Sequence, residues 1–277
     1  MIVLAQYLAS IFIFSPQKSL RYVLLDLNLY FVVLATICVI ASGYIINNFY
    51  DAETDKINRP VKSSIDSLVE QHIKLKMYCV LNFIGVGLAF LVSWKAALFF
   101  AVYIFLIWFY SHKLKKYPLT GMFSAAILAI LPFFVIFVYY KNYEEIIITH
   151  AAFLFFILLI RELIKDLERL NGDFVQNYQT MAVKYGEHFT KILITLIAIM
   201  TLIPIYFLLR YPEIGGMRYY FYVSIIGLTL FVILLWFSKI KRNYTLLHWM
   251  VKLLLLAGVF SLAFIDYNVI INRILLK

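Results

Sequence analysis

Residues 119–140 read LTGMFSAAILAILPFFVIFVYY, an apolar run without one Asp, Glu, Lys, Arg or His. An α-helix rises about 1.5 Å per residue, so a run of this length crosses the roughly 30 Å hydrocarbon core of a bilayer. Backbone amides find no water there, and a helix satisfies them internally. The run therefore reads as a membrane-spanning helix. Pro132 is expected to kink it, which neighbours in a bundle tolerate.

Working outward, similar runs fall near 1–15, 29–50, 72–93, 96–111, 145–165, 189–209, 217–238 and 248–270. The first is short and the fourth marginal; Pro204 is a second expected kink. Composition agrees, with 64% of the 277 residues hydrophobic, 14% charged and a mean hydropathy of +0.89. Soluble domains average about 45–50% apolar and about 25% charged, so the surplus apolar surface must face lipid. The expected fold is all-α: a polytopic membrane bundle of about nine transmembrane helices in a single domain over 1–277.

The net charge of +10 does not mark a nucleic-acid-binding module, because the basic residues sit between the apolar runs. Sixteen of them, including Lys56, Arg59, Lys62, Lys113, Lys115, Lys116, Arg161, Lys165, Arg169, Lys184, Lys191 and Lys239, follow the even-numbered spans. Eight lie on the other side: Lys18, Arg21, Lys95, Lys141, Arg210, Arg218, Arg273 and Lys277. The positive-inside rule puts the first group in the cytoplasm, and the expected location is the cell inner (plasma) membrane. Cys38 and Cys79 both lie in apolar runs and read as buried free thiols rather than a disulfide framework. The first Lys or Arg is Lys18, so no cleavable leader is expected.

The two longest connections, 51–71 and 166–188, fall on the cytoplasmic side and each opens on carboxylates. Asp51 and Asp166 stand 115 residues apart, which suggests a weak internal repeat. In the first cluster, NNFYDAETDKINRP over 47–60, Asn47, Asp51 and Asp55 recur every four residues and are displaced by only about 40° per step on a helix. Pro60 then ends the element. In the second, RELIKDLERLNGD over 161–173, Glu162, Asp166 and Asp173 share a face if the helix continues past Gly172.

Several like charges converging on one cavity repel unless cations neutralise them. Magnesium suits such a site because it takes oxygen ligands and bridges carboxylates to substrate phosphates. Asp51, Asp55, Glu162, Asp166 and Asp173 are the candidate ligands. Arg59, Lys115, Lys116 and Lys165 would hydrogen-bond a diphosphate. The plainer reading is solvated charge at span ends. Two acidic clusters on one side, at matched positions, favour a site, since ionisable residues near the membrane are costly.

These residues resemble a known family. The stretch 47–60 resembles the first aspartate-rich motif of UbiA-type intramembrane prenyltransferases, written N-D-x-x-D-x-x-x-D. The stretch RELIKDLERLNGDFVQNYQTMAVKYG over 161–186 resembles the second motif. YSHKLKK over 110–116 is similar to the family's tyrosine–serine loop, whose basic residues face the diphosphate. The resemblance implies a helical bundle around a central cavity opening sideways to lipid. It implies that Asp51, Asp55, Asp166 and Asp173 organise Mg2+ and an allylic diphosphate, that Asn47 assists, and that Tyr110, Lys115 and Lys116 line the diphosphate side. Departure of pyrophosphate would leave an allylic cation for an acceptor nucleophile.

The chain departs from the family pattern at Asn48, where relatives carry an aspartate, and at Arg169, where many carry another acid. It departs again over 61–66, VKSSID in place of a second Arg-Pro and a Ser-Gly, with Lys62 a partial stand-in. Relatives also carry an Arg-Pro-x-Asn-type lead-in before the first span. The wording DAETDKINRP and RELIKDLE is nearest to members that alkylate geranylgeranylglyceryl phosphate. That implies geranylgeranyl diphosphate as donor and a glycerophosphate hydroxyl as nucleophile, with membrane lipid around both and no nucleic-acid partner. An aromatic acceptor of quinone, chlorophyll or haem side-chain synthesis is the competing enzyme. A non-catalytic transporter is the competing class, and mid-bilayer polar residues on broken helices would favour it. His150 and Asp266, on the opposite side, read as polar contacts at helix ends. His112 and His248 are isolated, without zinc-ligand spacing.

Overall fold

The computed structural model describes residues 1–15, 18 and 20–265, and every regular element among them is helical. The α-helices are α1 (Ile2–Ala9), continued by a π-helical turn over Ser10–Phe14, α2 (Leu20–Leu24), α3 (Leu27–Asn58), α4 (Pro60–Asp66), α5 (Gln71–Val92), α6 (Trp94–His112), α7 (Pro118–Tyr140), α8 (Glu145–Val175), α9 (Met181–Arg210), α10 (Arg218–Phe237) and α11 (Lys241–Ser261). Eight helices among the described residues are long and apolar enough to cross a membrane, and Ile2–Phe14 is a shorter apolar one. The expected spans are all helical, and the chain is an integral multi-pass membrane protein. The end of the ninth span, with Asp266, Arg273 and Lys277, lies outside the described residues.

The two longest connections, 51–71 and 166–188, are largely helix: α3 runs on to Asn58, just short of the Pro60 expected to end it, and α8 continues through Gly172 to Val175. Hydropathy marks only the stretch inside lipid, whereas a helix that outruns the bilayer can turn polar without breaking. At about 1.5 Å per residue, α3 and α8 are each about 45–50 Å long, well beyond a hydrocarbon core of about 30 Å. Their acidic ends therefore project past the apolar layer.

The chain packs as two compact units, one made of 27–131 with 166–190, the other of 1–26, 132–165 and the described residues from 191 onward. In the first, α3 is the central helix, burying Leu29, Val32, Ala35, Thr36, Val39, Ser42 and Ile46. Lipid offers no hydrophobic drive to bring helices together, so close packing at small residues supplies the attraction. A Cβ on Gly85 of α5 would meet Val39 Cγ2 at 3.0 Å, and one on Gly43 of α3 would meet Ile107 Cγ2 of α6 at 3.1 Å. Large side chains such as Phe83, Phe90 and Leu98 point outward. So does Cys79, which is exposed rather than buried as its apolar setting suggested; Cys38 is half-buried, and both are free thiols.

α7 continues through Pro132. The missing proline N–H frees the carbonyl of Leu128 four residues back, and Tyr103 Oη donates to that oxygen at 3.0 Å. A neighbouring helix thus replaces the lost bond. In the second unit, Gln6 Nε2 donates to Pro132 O at 2.9 Å and Tyr139 Oη to Asp26 Oδ2 at 2.7 Å. α9 breaks at Gly186, whose φ of 84° suits a residue without Cβ.

Candidate functional site

The polar end of α3 keeps the burial period of the apolar part. Asp51, Thr54, Asp55 and Asn58 are all buried, one helical stripe that changes from aliphatic to polar without changing direction. Burying unpaired carboxylates is costly, and each is given a partner. Asn47 Nδ2 donates to Asp51 Oδ2 at 2.9 Å, one turn back. Lys115 Nζ lies 2.6 Å from Asp51 Oδ1. Lys62 Nζ lies 3.0 Å from Asp55 Oδ2, 3.3 Å from Asn48 Oδ1 and 3.5 Å from Asp66 Oδ2.

Local sequence places both lysines. Pro60 stops α3 and becomes the first residue of α4, since proline suits the first helical turn but not its interior. α4 thus begins one residue beyond α3, and Lys62 in its first turn, seven residues after Asp55, reaches that carboxylate. Lys115 sits in a single 3-10 turn, Leu114–Lys116, between α6 and α7. Gly121 in the first turn of α7 lets that turn pack closely: a Cβ would stand 3.2 Å from the carbonyl oxygens of Leu114 and Lys115. Lys115 Nζ also lies 5.9 Å from the Tyr50 ring centre.

The second cluster reaches the first through the extended part of α8. A Cβ on Gly172 would collide with the Asn58 side chain, so glycine here permits α8 to close on α3. After α8, Tyr178 turns back: its N–H donates to Asp173 O at 2.9 Å, and its phenol hydrogen-bonds Thr54. Burial raises the Tyr178 phenol above its ordinary range and the charge of Asp51 adds to it; the Thr54 hydrogen bond opposes them, and Asp173 and Asp55 add smaller raising effects. Arg59 stands among Arg169, Glu168, Asp55 and Asp51; burial and Arg169 lower it from its ordinary value, while the three carboxylates act the other way. Asp51, Asp55 and Asp173 thus all act electrostatically on one tyrosine, and both clusters act on one arginine. Lys116, exposed, places Nζ 5.7 Å from the Tyr178 ring centre, and its carbonyl accepts from Gln179 N at 2.8 Å.

The remaining expected residues lie as follows. Asp166 and Tyr110 are half-buried on α8 and α6. Glu162 is buried in the other unit, where Arg161 Nη1 donates to Oε1 at 2.8 Å and Lys165 Nζ pairs with Oε2. Among the described residues, no three His, Cys, Asp or Glu side chains are already gathered as a metal cluster. The donors nonetheless fit a hard divalent cation: they are carboxylate oxygens, and Asp55 Oδ1 is buried with no hydrogen-bond partner. Thr54, Asn58, Lys62 and Tyr178 are absent from the sequence-based set of site residues. The 47, 51, 54, 55, 58 spacing was the signal for two of them; nothing in sequence announces Tyr178.

Residues 4–265 match the model of the UbiA prenyltransferase family. Over 177 residues, 61% of this chain, the sequence is 30% identical to digeranylgeranylglyceryl phosphate synthase of Saccharolobus solfataricus. The chain spans 62% of that relative's length. A solved structure of a digeranylgeranylglyceryl phosphate synthase matches with a TM-score of 0.71 at 18% identity, covering 94% of this chain and 91% of the other. A UbiA homologue from Archaeoglobus fulgidus bound to DMAPP and Mg2+ matches with a TM-score of 0.65 at 14% identity, covering 95% of each chain. At these identities the structural likenesses establish the fold.

Proposed function

The chain belongs to the UbiA prenyltransferase family, and from that premise we propose that it transfers a prenyl group from geranylgeranyl diphosphate to the free hydroxyl of geranylgeranylglyceryl phosphate. The observation that carries this reading is the meeting of Asp51, Asp55 and Asp173 around Tyr178, with Lys115, Lys62 and Arg59 alongside. Acidic and basic groups alternate there as a diphosphate with its counter-cation requires. The likeness to synthases of that product supports the choice of acceptor. The charge asymmetry of the loops supports a cytoplasmic position for the mouth in the cell inner membrane.

Asp51, Asp55 and Asp173 would hold Mg2+, with Asp166 completing the set from α8. When bound, the cation offsets the charge that develops on the leaving pyrophosphate. Lys115, Lys116, Arg59 and Tyr110 orient the diphosphate oxygens so that they accept the electron pair of the breaking C–O bond. Asn47 fixes the Asp51 rotamer through its hydrogen bond. Tyr178, its phenol raised above its ordinary range, adds no negative charge to the mouth. Glu162 and Lys165 pair with each other within the other unit.

The test is pyrophosphate release from geranylgeranyl diphosphate in detergent, with geranylgeranylglyceryl phosphate or an aromatic acceptor, with and without Mg2+. Release that needs both Mg2+ and the glycerophosphate acceptor is expected. Release only with an aromatic acceptor would reassign the substrate, and none with any acceptor would remove the catalytic reading.

A further inference from the structure

Both aspartates of the first cluster are already neutralised from within the chain. Lys115 Nζ is 2.6 Å from Asp51 Oδ1, and Lys62 Nζ is 3.0 Å from Asp55 Oδ2. Of the remaining oxygens, Asp51 Oδ2 accepts from Asn47, and Asp55 Oδ1 is buried with no hydrogen-bond partner.

We propose that Lys62, together with Lys115, is a built-in counter-ion that makes divalent-cation binding at Asp51 and Asp55 conditional on a diphosphate. This rests on the reading of the α3 mouth as a metal–diphosphate site. A cation arriving alone meets an ammonium group at each carboxylate and must either displace it into solvent or sit beside it against like-charge repulsion. A diphosphate changes the balance. Its oxygens accept the lysine N–H groups, the ammonium groups swing from carboxylate to phosphate, and the freed carboxylates turn to the cation. The two ligands then raise each other's affinity by the same factor, within the range of about 5–150-fold usual for coupled sites.

Lys62 is suited to such an exchange because it is held without being trapped. Its side chain is 46% exposed while that of Asp55 is 4% exposed, and its alternative partners, Asn48 and Asp66, flank it. Asn48 contributes to the arrangement: a carboxylate there would hold Lys62 more firmly, whereas the amide oxygen at 3.3 Å is a neutral partner. Lys56 serves as an internal control. It carries the same charge on the preceding helix, α3, but pairs with Glu53, and both are exposed.

Equilibrium dialysis with Mn2+ as probe, on the full chain in detergent, tests this with and without inorganic pyrophosphate. Without pyrophosphate, Lys62→Gln should bind Mn2+ at least about fivefold more tightly than wild type. Lys62→Arg and Lys56→Gln should match wild type, and adding Asp55→Asn to Lys62→Gln should remove the gain. Pyrophosphate should tighten Mn2+ binding in wild type by a larger factor than in Lys62→Gln. If Lys62→Gln leaves the pyrophosphate-free affinity unchanged, or Lys56→Gln raises it equally, the counter-ion proposal is overturned, and the site reading stands as long as pyrophosphate still tightens Mn2+. If no variant and no condition retains Mn2+, both fall together.

Discussion

Lys115 Nζ and Asp51 Oδ1 lie 2.6 Å apart, and each side chain is less than a tenth exposed. Removing one member of a buried pair strands the other, at a cost of about 3–5 kcal/mol. Lys115→Met should therefore lower the melting temperature in detergent as well as turnover. Lys115→Met combined with Asp51→Asn should regain much of the stability and none of the activity. Thermal melts and prenyl-transfer rates on the three variants check this. Recovery of turnover in the double variant would contradict it.

Asp51→Ala and Asp166→Ala should each abolish transfer while the protein remains folded and inserted. The motivation is their matched placement on the two helices that outrun the bilayer. Radiolabelled transfer from geranylgeranyl diphosphate measures it, with size-exclusion behaviour as the check on folding. Near-normal turnover in either variant would take that residue out of the mechanism.

Gly172 is a packing requirement. Alanine is ordinarily the better helix former by about 1 kcal/mol, yet its Cβ would overlap the Asn58 side chain. Gly172→Ala should lower turnover, and Gly172→Leu should lower it further. Trimming Asn58 to Ala in the Gly172→Ala background should restore part of the loss. A Gly172→Leu variant with full activity would show that α8 and α3 need not approach here.

Tyr178 carries a pH signature. Its phenol is raised above its ordinary value by burial and by Asp51, Asp173 and Asp55. A group held protonated in the folded state contributes its stability below its unfolded pKa of about 10 and loses it as pH rises through the folded value. Any stability difference between wild type and Tyr178→Phe should be constant from pH 6 to about 9 and should shift in favour of Phe above about 10. Melts across that range test it; a change near neutral pH would indicate that the phenol ionises there.

The spans were legible because runs such as 119–140 admit no other reading, and Asn47, Asp51 and Asp55 because four-residue spacing survives as one helix face. The ends were not. Residues after position 50 and after 165 fall in the two longest connections by hydropathy, which reports the lipid boundary and not the end of the helix. Thr54 and Asn58 lie on the buried stripe of α3, but as an uncharged hydroxyl and amide they stand out less than the aspartates beside them. Lys62 reaches the site from the first turn of α4, one residue beyond α3, and Tyr178 from a turn after α8. The placement of Tyr178 is a tertiary fact that spacing along the chain does not encode.

The most direct measurement is mass-spectrometric detection of product from purified protein in lipid nanodiscs, supplied with geranylgeranyl diphosphate, geranylgeranylglyceryl phosphate and Mg2+. The expected result is digeranylgeranylglyceryl phosphate, formed in proportion to pyrophosphate and lost with EDTA or Asp51→Ala. Product that persists in Asp51→Ala, or its absence from folded wild-type protein with Mg2+ present, would contradict the account.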